Sequence, residues 1–123
     1  MRILTVDDAR SIREYIRNAV DVLGHELLEA EDGREGLRVL EREKGNVDLV
    51  LLDWNMPEMN GMEMLETMKC DNRFKHIPVT MVTTETERHR VVEAVGAGAK
   101  NYLMKPFTQE ELAAKIMETF GMV

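Results

Sequence analysis

The chain has 123 residues, of which 44% are hydrophobic and 32% charged, and its 16 Lys and Arg residues are outnumbered by 23 Asp and Glu residues. This size and composition fit one ordinary folded domain over residues 1–123, without a linker that would lead to an output domain, and they exclude a disordered chain. The net charge of −7 argues against nucleic acid as a partner, and the lack of a membrane-spanning apolar stretch or a signal peptide favours a cytoplasmic location.

The first half of the chain alternates short β-type runs with helical patterns. In chain order, the sequence predicts a strand over residues 3–6, a helix over about 11–23, an edge strand over 26–30, a helix over about 34–44 and a strand over 47–52. Asp7 and Asp8 follow the first of these strands, and Asp53 follows the last. The helical positions expected to face the core are Ile12, Ile16, Ala19, Val20, Leu23, Leu37 and Leu40.

The second half continues the same alternation. The predicted elements are a helix over about residues 62–70, a strand over 77–82, a helix over about 87–96, a strand over 102–104 and a final helix. Thr83 and Thr84 follow the first of these strands, Lys105 follows the second, and Thr108 with Glu111 predicts a capping box for the final helix. The positions expected to face the core are Met62, Leu65, Met68, Val91, Val92, Val95, Leu112, Ile116, Met117 and Phe120.

This alternation predicts an α/β fold in which a doubly wound, five-stranded parallel sheet carries helices on both faces. Ligands of such sheets bind beyond the carboxyl ends of the strands, where the strand order reverses. The polar residues expected to line that crevice are Asp7, Asp8, Asp53, Thr83 and Lys105. Three neighbouring carboxylates repel one another unless a cation lies between them, and oxygen ligands without His or Cys favour Mg²⁺ over Zn²⁺.

Each of these residues also has an ordinary structural explanation. An acidic or threonine pair after a strand often caps the next helix, a loop lysine is usually solvated, and Asp53 could cap the turn at Asn55. Capping alone does not require that all of them lie at the same end of alternate units. The pattern therefore favours a functional site.

These residues make the chain resemble response-regulator receiver domains, and among them the stand-alone chemotaxis regulators, over essentially its whole length. The matching segments are residues 6–8 with Ser11 and Arg13, residues 29–33, residues 53–57 with Gly61, residues 81–83 and residues 105–107. The resemblance implies the flavodoxin-like strand order 2-1-3-4-5. It also implies a cis peptide bond between Lys105 and Pro106.

The resemblance further implies that Asp53 accepts a phosphoryl group from a histidine kinase. Mg²⁺ would be held by Asp8, Asp53 and the backbone carbonyl of Asn55, while Asp7 would contact the ion through a water molecule. Such a protein is a phosphoacceptor that assists its own phosphorylation and autodephosphorylation, rather than an enzyme.

Lys105 and Thr83 would contact the phosphoryl group in this family. Thr83 would move inward to donate a hydrogen bond, and the ring of Tyr102 would turn inward behind it. This changes the face formed by the fourth helix, the fifth strand and the fifth helix, where a target protein binds. An aromatic residue in a strand is equally well explained by simple packing.

Asn55 and Glu85 match side chains that favour rapid loss of the phosphoryl group in the chemotaxis branch, so we expect a signal that resets quickly. Three residues depart from the usual pattern. Thr84 is larger than the small residue usual there and is expected to narrow access to Asp53. Lys100 and Asn101 are expected to alter the charge of the output face.

The implied partners are a histidine kinase, a target such as a flagellar switch, another kinase or a phosphorelay protein, and a phosphatase, with the chain itself a monomer. One alternative is an interaction module that keeps the fold but signals without phosphorylation. Another is an aspartate-nucleophile phosphatase. Such enzymes use a second aspartate, two residues after the nucleophile, as an acid/base, and this chain has Asn55 at that position. A flavodoxin-like electron carrier fits less well, because residues 7–10 do not form a glycine- and hydroxyl-rich phosphate loop.

Overall fold

The structure is a computed structural model that describes residues 1–121, apart from the side chain of Glu85. Its elements in chain order are β1 (Arg2–Val6), α1 (Arg10–Val22), β2 (Glu26–Ala30), α2 (Gly33–Arg42), β3 (Leu49–Asp53), α3 (Gly61–Lys69), β4 (Val79–Thr83), a 3-10 helix (Glu85–Arg90), α4 (Val91–Gly96), β5 (Asn101–Met104) and α5 (Gln109–Thr119). None of the helices within residues 1–121 is long and apolar enough to cross a membrane.

The five strands are parallel and lie in the order β2-β1-β3-β4-β5, which confirms the doubly wound fold. Strands β1 and β3 are neighbours, and their register pairs Val6 with Leu52. Asp7 and Asp53 directly follow this pair of residues. They therefore lie side by side at the carboxyl-terminal edge of the sheet. The strand order reverses at this pair, which is where the sequence predicts the ligand crevice.

Two apolar clusters cover the two faces of the sheet. Successive side chains of a strand point to opposite faces, so Val50 and Leu52 of β3 join one cluster while Leu49 and Leu51 join the other. The first cluster packs against α2, α3 and α4, and the second against α1 and α5. All five residues of β3 are buried, which explains the continuous apolar run that leads to Asp53.

Helix α5 begins at the predicted capping box. The hydroxyl of Thr108 accepts a hydrogen bond from the backbone N–H of Glu111 at 3.1 Å, and the carboxylate of Glu111 accepts one from the backbone N–H of Thr108 at 3.3 Å. Asn60 and Glu63 form a second box at the start of α3, which the sequence analysis missed. Both boxes satisfy backbone donors that an isolated helix start leaves free.

The segment before β5 differs from the predicted helix. Residues Glu85–Arg90 form a 3-10 helix, and only Val91–Gly96 are α-helical. Val91, Val92 and Val95 all lie in the α-helical part, so their spacing does place them along one side of the helix, but it does not say which side covers the sheet. Ala94 is the buried residue, while Val92 is 81% exposed and Val95 is 49% exposed. The predicted inward orientation of these two valines is wrong.

Two further inward positions are also wrong. Leu23 lies just beyond the end of α1 and is exposed. Leu112 and Ile116 face the sheet as predicted, but the third buried residue of α5 is Thr119 rather than Met117, which is exposed. The hydroxyl of Thr119 accepts a hydrogen bond from the amide of Asn101, so this stripe contains a polar member that a search for apolar spacing cannot detect.

Candidate functional site

Three carboxylates meet at the carboxyl ends of β1 and β3. Asp7 is 2% exposed, Asp53 is 6% exposed and Asp8 is exposed to solvent. One carboxylate oxygen from each lies within 4.8 Å of the others. A cluster made only of oxygen donors, partly buried and open on one side at Asp8, fits a hard divalent cation such as Mg²⁺.

The Lys105 ammonium group lies beside two of these carboxylates. Its Nζ donates hydrogen bonds to Oδ2 of Asp7 at 3.0 Å and to Oδ1 of Asp53 at 3.1 Å. Lys105 directly follows β5, and its backbone N–H donates to the carbonyl of Thr83 at 2.6 Å. The peptide bond that follows, Lys105–Pro106, is cis, as the resemblance implies. The sheet thus brings together residues that lie 98 positions apart in the sequence.

The electrostatic state of Asp53 follows from this environment. Burial raises the pKa of Asp53 to about 6, and the charge of Asp7 adds to the increase, while Lys105 and the backbone N–H of Trp54 oppose it. Burial acts to lower the pKa of Lys105, but Asp53 and Asp7 outweigh it, so that the pKa of Lys105 is raised. The ammonium group stays charged, yet it does not fully offset the combined effect of burial and of the Asp7 charge on the pKa of Asp53. The cluster therefore retains negative charge that a cation would neutralise.

Backbone geometry explains Gly61 in the loop that follows Asp53. The loop turns back so that the N–H of Gly61 donates to the carbonyl of Trp54 at 2.9 Å. A Cβ atom at Gly61 would lie 2.2 Å from the backbone oxygen of Asp53, much closer than a real contact allows. Glycine thus permits the loop to pack directly against the end of β3.

Arg13 supports the same edge of the sheet, a contact that the sequence analysis did not assign. It is 9% exposed, and its Nη1 donates to the backbone carbonyl of Asp7 at 2.6 Å. Its Nε donates to Glu29 at 3.3 Å. Arg13 therefore fixes the end of β1, where the acidic pair begins.

The proposed switch residues lie in the β4 and β5 strands. Thr83 is fully buried, and its hydroxyl donates to the carbonyl of the next residue, Thr84, at 3.2 Å. The hydroxyl is therefore hydrogen-bonded within the loop after β4. Tyr102 is partly buried, with the ammonium group of Lys115 5.2 Å from the centre of its ring. Asn101 accepts a hydrogen bond from Thr80 at 2.5 Å and is half-buried rather than free on the surface.

Of the two residues expected to affect phosphoryl lifetime, Asn55 and Glu85, the structure describes the side chain of Asn55 only. The side chain of Glu85 lies outside the described part of the chain. Asn55 is exposed, and its Nδ2 donates to Oε2 of Glu87, a buried carboxylate that the sequence analysis missed. Glu87 follows Thr84 at capping-box spacing, as Glu111 follows Thr108. This spacing was the sequence signal from which a contact between Glu87 and Thr84 could have been predicted.

An apolar cleft of about 480 Å³ opens next to Lys105. It lies between the start of α1 and the loop after β5, and it is lined by Ile12, Tyr15, Pro106 and Phe107 among others. The rings of Tyr15 and Phe107 pack edge to face with centroids 5.7 Å apart. A larger surface depression of about 670 Å³, near Cys70, is lined by none of the three clustered aspartates and is much more polar. The smaller cleft is the one that adjoins the charged cluster.

Comparison with known proteins agrees with this geometry. A family model described as the response regulator receiver domain matches residues 3–117. The chain is 43% identical over 124 residues to the chemotaxis protein CheY of Pseudomonas aeruginosa, with 100% of this chain and 98% of the relative covered. It is 42% identical to the chemotaxis protein CheY1 of Helicobacter pylori strain J99, with 98% of each covered. The solved structure of the chemotaxis protein CheY4 of Vibrio cholerae superposes with a TM-score of 0.88 at 33% identity, covering 96% of this chain and 97% of that chain.

Proposed function

Because the chain belongs to the response regulator receiver domain family, we propose that it is the receiver of a two-component chemotaxis system and accepts a phosphoryl group on Asp53. The observation that carries this proposal is the buried Asp53 carboxylate, clustered with Asp7 and Asp8 and hydrogen-bonded to Lys105 at 3.1 Å. A histidine kinase is the proposed phosphodonor. The protein would take part in its own phosphorylation and dephosphorylation without acting on a separate substrate.

Phosphoryl transfer at this site depends mainly on position and charge. A carboxylate oxygen of Asp53 would attack the phosphorus of a phosphohistidine, forming a P–O bond while the P–N bond breaks and its electron pair returns to the imidazole. Lys105, already within hydrogen-bond distance of Asp53, would oppose negative charge on the phosphoryl oxygens.

The three carboxylates and the backbone carbonyl of Asn55 are the groups that would hold Mg²⁺. Asp8 and Asp53 would contact it directly, and Asp7 would do so through water. When bound, the ion supplies positive charge that neutralises the carboxylates and the incoming phosphoryl group. One oxygen each of Asp7, Asp8 and Asp53 lie within 4.8 Å of one another, which supports the carboxylate part of this assignment.

The signal would leave the site through Thr83 and Tyr102. The hydroxyl of Thr83 would exchange its bond to the carbonyl of Thr84 for one to the phosphoryl group, and the ring of Tyr102 would follow. The face formed by α4, β5 and α5 would then bind a target protein, for which we propose a component of the flagellar switch. The exposed Val92 and Val95 of α4 supply apolar surface for such a contact.

Two alternatives predict different results. An interaction module that does not use phosphorylation would bind its target equally well after Asp53→Asn. An aspartate-nucleophile phosphatase would hydrolyse p-nitrophenyl phosphate, whereas we expect negligible hydrolysis because Asn55 cannot act as its acid/base. The amide of Asn55 instead donates to Glu87.

The fluorescence of Trp54 tests the proposal. Trp54 is 4% exposed, adjoins Asp53 in sequence, and has the guanidinium group of Arg90 5.5 Å from its ring centre. We expect one change on addition of Mg²⁺ and a further saturable change on addition of beryllofluoride, which stands in for the phosphoryl group. Both should be lost in Asp53→Asn. An unchanged signal, together with no Mg²⁺ binding by calorimetry, would favour the module that does not use phosphorylation.

A further inference from the structure

Glu87 joins the two loops that border Asp53. Its side chain is buried although it carries a carboxylate, with 8% of the residue exposed. Oε2 accepts from Nδ2 of Asn55, and Oε1 accepts from the backbone N–H of Thr84 at 3.1 Å and from its hydroxyl at 3.0 Å. A buried carboxylate is costly unless its oxygens are hydrogen-bonded, and these three donors meet that need.

The two loops have different parts in the proposed switch. Asn55 lies two residues after the phosphoacceptor, on the loop after β3. Thr84 lies on the loop after β4 and immediately follows Thr83, whose hydroxyl donates to the carbonyl of Thr84. Thr83 can reach a phosphoryl group on Asp53 only if its hydroxyl leaves this carbonyl. An inward movement of Thr83 that carries the backbone of the next residue with it would break the bonds from Thr84 to Glu87.

We propose that Glu87 is a positioning residue that latches the loop after β4 to Asn55 and thereby opposes the activated arrangement of Thr83. This inference rests on the proposed phosphoacceptor function. Bonds made only in one conformation favour that conformation, so the phosphoryl group must displace the latch before the switch completes. The latch sets how strongly the receiver responds to a given degree of phosphorylation.

The proposal predicts the direction of a mutational effect. Glu87→Ala removes three hydrogen bonds from the latched conformation alone, so it should strengthen apparent beryllofluoride binding by at least about 5- to 30-fold, the change expected from one or two of them. A residue that merely supported the fold would weaken this binding or leave it unchanged. In Glu87→Gln, the side-chain oxygen can still accept from Thr84 and the contact with Asn55 loses its charge-assisted strength, so we expect a smaller increase.

The test is titration of beryllofluoride at saturating Mg²⁺, followed by Trp54 fluorescence, with circular dichroism to verify folding. Glu93→Ala is the matched control, because it removes the same charge from an exposed position of α4. A double-mutant cycle with Asn55→Ala separates the latch from a simple charge effect: the latch predicts strong coupling between the two changes, whereas a charge effect is additive.

Each outcome is decisive. Tighter binding in Glu87→Ala, coupled to Asn55 and absent in Glu93→Ala, supports the latch. Unchanged or weaker binding, or additive effects, overturns it while a saturable wild-type response leaves the receiver function intact. If the wild-type protein does not respond, the receiver function and the latch fail together. If Glu87→Ala does not fold, Glu87→Gln replaces it: tighter beryllofluoride binding in this variant supports the latch, and unchanged or weaker binding overturns it.

Discussion

Replacing Asp53 by Asn should stabilise the metal-free protein. Burial and the charge of Asp7 raise the pKa of Asp53 from 3.8 to about 6, so the folded state binds a proton that the unfolded chain releases more readily. The free energy of unfolding therefore falls as pH rises from 3.8 to about 6, and it stays low at higher pH. Each pKa unit is worth about 1.36 kcal/mol, so the full cost of ionised Asp53 is about 3 kcal/mol.

The gain in Asp53→Asn should depend on pH in a way that identifies its cause. We expect about 3 kcal/mol at pH 7.5, falling to about 1 kcal/mol at pH 4.5, because folded wild-type protein holds Asp53 mostly protonated at the lower value. Thermal unfolding in EDTA would measure it, and the gain at pH 7.5 corresponds to roughly 10 °C in melting temperature.

Asp21→Asn provides the control, since it changes an exposed aspartate of α1 and should have little effect at either pH. The reasoning is refuted if Asp53→Asn is no more stable than the wild-type protein at pH 7.5. It is also refuted if the gain is the same at both pH values, because a gain unrelated to ionisation would not vary with proton concentration.

Three further changes, each measured by chemical denaturation, test the close approach at Gly61, the cap of α5 and the orientation of α4. Gly61→Ala should cost about 2–3 kcal/mol and weaken Mg²⁺ binding, because its Cβ would lie 2.2 Å from the backbone oxygen of Asp53; a neutral effect would contradict the close approach. Thr108→Ala should cost about 1 kcal/mol through loss of the cap, with Thr108→Ser as the control that restores most of it. Val92→Ala should change stability by less than about 0.5 kcal/mol, because Val92 is 81% exposed, and a loss above about 2 kcal/mol would support the inward orientation that the sequence predicts.

The strands and the ends of the strands were predictable for a physical reason. A parallel sheet covered on both faces requires continuous apolar runs, and the first polar residue after each run marks the edge of the sheet. Asp7, Asp53 and Lys105 could be placed in this way before any contact was known. Their distances could not be predicted, because they depend on strand order and on a lysine side chain that extends across the crevice from β5.

The segment after β4 shows where periodicity fails. The valine spacing in residues 91–95 marks one side of α4, but spacing alone does not show which side covers the sheet, and Ala94 on another side faces the core instead. Glu87 was missed for a different reason, because charged residues are ordinarily assigned to the surface. Its burial depends on donors from Asn55 and Thr84, which only the tertiary structure brings together.

Direct phosphorylation of Asp53 is the measurement that tests the account most closely. The protein would be incubated with acetyl phosphate and Mg²⁺, quenched, and analysed by mass spectrometry of its peptides, with Asp53→Asn and an EDTA sample as controls. We predict one phosphoryl group, on the peptide that contains Asp53, formed only with Mg²⁺ and absent from the variant. Incorporation that persists in Asp53→Asn, or no incorporation by a protein that binds Mg²⁺, would contradict the assignment of Asp53 as the phosphoacceptor.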